Sequence, residues 1–441
     1  MTANRRPGSA PGNRELQLWK VGWALTVVFV SAVLVAGGIF SSLVYLLDFQ
    51  ELDSTAKLDA KTLFDLVKLS FGVVAGAGAL VALVVAYRRQ RVDEAGAHRE
   101  ATRLHTERFS QAVDKLGSDS PAVRLGGVHA LAGLADDAPD DNLRQTCIDV
   151  LCAYLQLPFT PDPGDDPAHQ AEHHHYLALR KVRHTIMRLI CDHYRRPRGT
   201  RGSWQGCDLD FTGVIIDGRM DFSGAEFSGG TVSFDGAEFS GGSVIFERAT
   251  FSGSSVSFVG AVFSQGSLVD FDYAVFSDGR VGFDGAKFSG GTVAFRDATF
   301  SGGLVIFDYA AFCAGYVPFD RATVAGPGGV SFSSTAFSGS AVSFRGVAFA
   351  GGEAHFERAK FSKKSVGFVD VTFSGGWVSF CDAVFSDGAV TFKDATFSGG
   401  QVSMSFMGAT GAAPSGLLAA AGTPPSSEVA LPADWLPSPP Y

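Results

Sequence analysis

The sequence predicts two membrane-spanning helices, a small all-α segment and a long all-β solenoid. Three observations carry this reading. Two uncharged runs lie near the N-terminus, Val21–Leu47 with 27 residues and Leu69–Tyr87 with 19. Apolar residues recur at helical spacing from 109 to 190. From Phe211 to Phe397 a central residue returns at intervals that mostly alternate between five and seven, and self-similarity at fixed spacing marks a solenoid. The boundaries expected are 1–17 for a disordered tail, 18–87 for the two-span anchor, 88–200 for a helical adaptor, 201–407 for the solenoid and 408–441 for a disordered Pro/Ala-rich tail.

The first run is long enough to cross a hydrocarbon core of ~30 Å with some tilt. Trp19 and Trp23 stand at its start, where amphipathic rings favour an interface. A cleavable signal peptide would have a shorter apolar region and no second span. Arg5, Arg6, Arg14 and Lys20 precede the first run, and Arg88, Arg89 and Arg91 follow the second, while the loop between them has no Arg. Basic flanks outside both runs put both termini and the solenoid in the cytoplasm, so the expected address is the plasma membrane, multi-pass, with the lipid bilayer as a partner. Gly72 and Gly76 form a small-xxx-small step for transmembrane packing against the first run or, in a homodimer, a second copy.

In the adaptor, Phe109, Ala112, Val113 and Leu116 make one stripe and Val123, Val128, Leu131 and Leu134 a second, opened by Ser120-Pro121 as N-cap and first-turn proline. Leu143, Cys147, Ile148, Leu151, Cys152 and Leu155 make a third, and Val182, Ile186, Leu189 and Ile190 a fourth. His169 and His173 have the i,i+4 spacing of a zinc pair, with His174, His175, His184 and His193 nearby, but no third ligand is placed beside them. Cys147 and Cys152 read as buried hydrophobes rather than a redox pair. The six cysteines show no CxxC and read as reduced thiols.

Of the 32 lattice positions in the solenoid 30 are Phe, the exceptions being Ile216 and Val324. Val or Ala stands two residues earlier in 29 of the 32. Side chains alternate with period two along an extended segment, so both point inward. The core is therefore expected at Phe227, Phe234, Phe239, Phe246, Phe251, Phe258, Phe283, Phe288, Phe295 and Phe300. Ser-Gly and Asp-Gly pairs make the corners, because Gly tolerates the backbone angles of a tight turn. A meander of hairpins would leave one face of every strand exposed.

Ala-Glu-Phe239-Ser-Gly, Ala-Thr-Phe251-Ser-Gly and Ala-Lys-Phe288-Ser-Gly resemble the pentapeptide repeat over roughly 207–407, in the variant that separates paired pentapeptides by two residues. The resemblance implies a right-handed quadrilateral β-helix with four faces per coil, hence eight coils and a rod of roughly 40 Å at ~4.8 Å per coil. Residues 109–159 also resemble the helical segment that precedes such repeats in actinobacterial membrane proteins.

The resemblance further implies that some relatives bind DNA gyrase by imitating duplex DNA, which is one alternative function. Such a mimic should be acidic along its length. Residues 207–407 carry 21 Asp and Glu against 12 Lys and Arg, but much of the excess lies in the first coils. The chain as a whole has a net charge of −9 and gives no reason to expect a nucleic acid partner. No Ser/His/Asp or Cys/His set, P-loop, cofactor motif or metal cluster is legible, so an enzyme or a metal-binding role through the histidines is the weaker alternative. The function expected is a membrane-anchored scaffold that offers a rigid solenoid to a cytoplasmic protein. Candidate contact spots are the irregular intervals Gln265–Phe271 and Val324–Phe332, the Lys363-Lys364 corner and Trp377.

Overall fold

The computed structural model describes residues 60–160, 162–164, 166–362, 366–386, 390–397, 402–422 and 429–436, with scattered helical positions between 26 and 45. The chain divides into two units, Met1–Glu100 and Ala101–Tyr441.

The two-span anchor is not upheld. The uncharged run Leu69–Tyr87 is no separate span. It is the middle of one 57-residue helix, α1 (Ala60–Leu116), which carries Lys61, Asp65 and Lys68 before the run and Arg88, Arg89, Arg91, Asp93 and Glu94 after it. Among the described residues no helix is long and apolar enough to cross a membrane. Most of Val21–Leu47, with Trp19 and Trp23, lies outside the described residues. The multi-pass plasma-membrane address, the transmembrane helices and the cytoplasmic orientation built on them fall with that finding. Gly72 and Gly76 are exposed, and a Cβ added at either would meet nothing within 4 Å among the described residues.

Among the described residues three further α-helices precede the first strand. α2 (Pro121–Asp136) starts with its proline directly behind Ser120. α3 (Asp141–Gln156) is capped by Asp140, whose carboxylate accepts from the Leu143 N–H at 2.9 Å. α4 (Gln170–Tyr194) is the longest of the three. Their apolar stripes converge: Ala112, Leu116, Val128, Leu131, Ile148, Leu151, Val182, Ile186 and Ile190 are buried in one cluster that runs on into the solenoid. This continuity matters, because the first coil would otherwise leave a row of phenylalanine open to water.

From Leu209 onward short strands pair in parallel, in sheets of 14 and 15 strands among the described residues. The register advances by about one coil per pairing, as in Thr231↔Ser255 and Val232↔Val256. Phe rings stack in four files, one behind each wall. Wall one is backed by Phe211, Phe234, Phe258, Phe283, Phe307, Phe332, Phe356 and Phe380. Wall two is backed by Phe239, Phe263, Phe288, Phe312, Phe337, Phe361 and Phe385 above Ile216. Wall three is backed by Phe222, Phe246, Phe271, Phe295, Phe319, Phe344, Phe368 and Phe392. Wall four is backed by Phe227, Phe251, Phe276 and Phe300, then Val324, then Phe349, Phe373 and Phe397. Stacked rings lie 4.3 to 5.3 Å apart, the spacing of adjacent strands. Across the interior the files meet edge to face, as Phe283 and Phe295 do at 81°.

Two corner types alternate. The five-residue interval is a tight turn in which the N–H of residue i+3 donates to the lattice Phe carbonyl, as Ala237 does to Phe234 at 3.0 Å. Its i+2 residue has positive φ, Gly236 at 63° being one example, as a type II turn requires. The seven-residue interval is wider and brings its glycines against the coil below: a Cβ on Gly242 would lie 2.7 Å from the Gly218 carbonyl oxygen.

Among the described residues, those after Gly411 are more ordered than their Pro/Ala-rich composition suggests. Phe406 adds a ring above Phe380, 4.8 Å away. Val429–Ala430 pairs with Met404–Ser405. Trp435 lies edge-on to Phe385 and Phe406 and donates its indole N–H to the Gly411 carbonyl at 2.9 Å. This lid helps keep Phe385 and Phe406 from water, while Phe397 is only partly buried.

Candidate interaction surface

The solenoid interior has no room for chemistry. Phe227, Phe234, Phe239, Phe246, Phe251, Phe258, Phe283, Phe288, Phe295 and Phe300 are all buried. Where Val324 replaces a ring, a cavity of about 10 Å³ remains, lined by Phe300, Phe319, Phe332 and Phe349 among others. That is the size of a single water, and the lining is apolar, so the cavity stays dry. Any contact with another molecule is made by the outer side chains.

Walls two and four present mostly Ser, Thr, Ala and Val, a smooth surface. The edge between walls three and four is polar and paired with itself. Arg248 lies over the Tyr273 ring at 5.0 Å, and Arg296 over Tyr316 at 5.8 Å while bonding Asp272 at 3.0 Å. Arg321 grips Asp297 with two bonds of 2.8 and 2.7 Å, which hold that carboxyl below its ordinary range.

Wall one differs. Its outward rows follow from the register: Leu304, Gly329, Glu353 and Trp377 in one, Ile306, Ser331, His355 and Ser379 in the next. Alternate residues of a strand share a face, so Glu353 and His355 stand side by side, with Glu357 at the turn that follows. His355 is clamped between two carboxylates, Nδ1 to Glu357 at 3.1 Å and Nε2 to Glu353 at 3.0 Å. The bond to Glu357, aided by Glu353, raises the imidazole to about 9 against the effect of burial. Burial alone would raise Glu357. Hydrogen bonds from His355, Ser379 and Ser333 outweigh it and hold the carboxyl at about 2. Trp377 meets the His355 ring edge-on at 5.6 Å and remains 45% exposed. Leu304 is 49% and Tyr309, at the adjoining corner, 69% exposed.

A second polar node joins the helices to the first coil. Asp217 accepts from Arg180 at 2.7 Å and pairs with His184 at 3.0 Å. Burial opposes its ionisation, yet the bonds from His184 and Arg180 hold it at about 2. Asp136 likewise gathers His193 at 3.1 Å and the Trp204 indole at 3.0 Å. The Asp217 node fixes the helices to the first coil, and the Asp136 node ties α2 and α4 to the Trp204 loop that leads into it.

The other sequence candidates do not assemble into a site. His173 bonds Asp162 at 2.7 Å, and among the described residues no group of three or more His, Cys, Asp or Glu side chains could hold a metal ion. His105 lies 3.8 Å from the Cys147 sulfur, but burial pushes that thiol up to about 11 and Cys152 to about 12, far from a thiolate nucleophile. Gln265–Phe271 absorbs its extra residue through the buried Ser267, whose hydroxyl donates to the Ser264 carbonyl at 2.7 Å. Lys363 and Lys364 lie outside the described residues. The Glu353–His355–Glu357 clamp was missed in the sequence, although Glu353 and His355 at alternate positions of one strand, followed by Glu357 at the turn, are a readable signal.

A family model for pentapeptide repeats, in nine copies, matches residues 211–261. The solenoid is a pentapeptide-repeat domain. Among curated proteins none matches the chain. Among solved structures, one similar chain is trypsin-treated QnrB1, a plasmid-mediated fluoroquinolone resistance protein, at 14% identity. The match covers 42% of this chain and 88% of that one, with a TM-score of 0.12, too loose a superposition to bear on the pentapeptide-repeat walls or their partners.

Proposed function

We propose that the chain is a non-catalytic scaffold whose pentapeptide-repeat solenoid presents its outer walls to a protein partner. One observation carries this reading: four files of buried Phe fill the interior and leave only exterior side chains to act. The walls are continuous parallel sheets with every coil hydrogen-bonded to the next, so they hold exposed groups at fixed spacing. A surface built this way binds by complementarity, with little ordering cost on its own side. Proximity labelling from the C-terminus of the full chain in its native host tests the reading. A recurrent set of labelled proteins, absent from an unfused enzyme control, is expected. Labelling indistinguishable from that control contradicts it, and consistent recovery of gyrase favours the DNA-mimic alternative.

A further inference from the structure

The exposed large apolar side chains of the solenoid are unevenly placed. Val259, Leu304, Tyr309, Trp377 and Met407 lie on wall one or its corner with wall two, whereas Tyr273 and Tyr316 lie at walls three and four and Val384 on wall two. The two tyrosines are each covered by an arginine of the chain. Trp377 instead contacts His355, with nearly half of its surface in water. Around it the charge is acidic: Asp308, Glu353, Glu357 and Asp382 stand against Arg358 and His355 on the same strip. His355 is already committed to Glu353 and Glu357, so its charge is spent within the clamp. Glu353 keeps 60% of its side chain exposed. In the row that holds Trp377, Gly329 is buried between Leu304 and Glu353, and the Leu304 side chain closes over it: a Cβ there would lie 3.4 Å from Leu304 Cδ2 and 3.6 Å from Glu353 Cβ.

Resting on the scaffold reading above, we infer that the Leu304–Trp377 strip of wall one is the docking face, and that its occupant is a basic, apolar-flanked segment of a protein partner. A Lys or Arg of that segment sits between the Glu353 carboxylate and the Trp377 ring, where ion pairing and cation–π attraction add. Its apolar neighbours cover Leu304 and Tyr309. Charge complementarity selects this occupant: an acidic strip with exposed rings repels nucleic acid and acidic peptides and attracts cationic ones. The His355 clamp is a positioning device, which holds Glu353 in the row and stops Trp377 from folding flat on the wall.

A short fluorescein-labelled peptide of alternating lysine and leucine is the probe, with its glutamate–leucine counterpart as control, titrated by anisotropy against the full chain. The cationic peptide is expected to bind, and Trp377→Ala and Glu353→Gln each to weaken it about tenfold. Trp377→Phe, which keeps a ring, should retain much of the affinity, and Arg321→Ala at the opposite edge should change nothing. Equal binding by the native chain and both wall variants overturns the assignment, as does equal binding of the acidic peptide. Partner labelling by the Trp377→Ala chain that matches the native set overturns this face while leaving the scaffold standing. Failure of the native chain to label any partner removes the scaffold instead.

Discussion

At the residue scale, the lattice phenylalanines set stability. Phe295 stacks on Phe271 and Phe319, both within 4.8 Å, and crosses Phe283 and Phe307 edge to face. Phe295→Ala removes all of these contacts and should cost about 3–5 kcal/mol. Val324 is the reverse case, since it interrupts the wall-four file between Phe300 and Phe349. Val324→Phe should fill the dry cavity and stabilise by about 1 kcal/mol. Urea unfolding midpoints of both variants decide; a lower midpoint for Val324→Phe would mean that the coil has closed around the smaller side chain. These positions were legible because the five/seven spacing singles them out. The outward positions were not, because no periodicity constrains what they contact. His355 was visible only as a lone histidine, and its two carboxylates emerged with the strand register.

The same scale fixes the pH response. Asp217 has its folded value lowered to about 2, so its contribution is present above the ordinary carboxyl value and is lost as pH falls through about 2. His355 is raised to about 9, so its contribution is full below the ordinary histidine value and is lost as pH rises through about 9. Stability should therefore be flat between the ordinary carboxyl value of 3.8 and the ordinary histidine value of 6.5 and fall on both sides, the alkaline loss already under way at neutrality. Asp217→Asn should be less stable at neutral pH and lose less on acidification, and His355→Ala should flatten the alkaline side. An acid limb as steep in Asp217→Asn as in the native chain would assign the loss to other groups.

At the element scale, the tight corners were readable where they are Gly and hidden where they are not. Arg248, Asp297, Arg321 and Asp394 hold the same positive φ without glycine's freedom. Gly236 isolates the backbone effect, since an added Cβ would touch nothing within 4 Å. Gly236→Val should destabilise by about 1–2 kcal/mol and Gly236→Asn by much less, as thermal unfolding would report. Equal losses would point to packing rather than dihedral strain. The helices of the cap followed their apolar stripes, and α2 began at the proline that marks it. The N-terminal runs misled because absence of charge was read as two separate spans, while the second run is the interior of a longer helix with charged ends. The lid after Gly411 was hidden for the opposite reason. Its composition is that of a linker, and its order comes from Trp435 and Val429 docking on the last coil.

At the scale of the whole molecule, the solenoid separates structure from recognition. The repeated Phe and Val/Ala positions are buried, and the side chains that distinguish one wall from another are outside. Wall one concentrates exposed large apolar side chains in an acidic setting, while the edge between walls three and four neutralises its own charges. The central claim is that partner contact is made by wall one. A photo-crosslinking residue placed singly at positions 304, 353 and 377, and at 296 and 321 for comparison, tests it most directly in the native host. The account predicts defined protein adducts from the wall-one positions and none from the other two. Adducts confined to 296 and 321, or absent from all five, would contradict it.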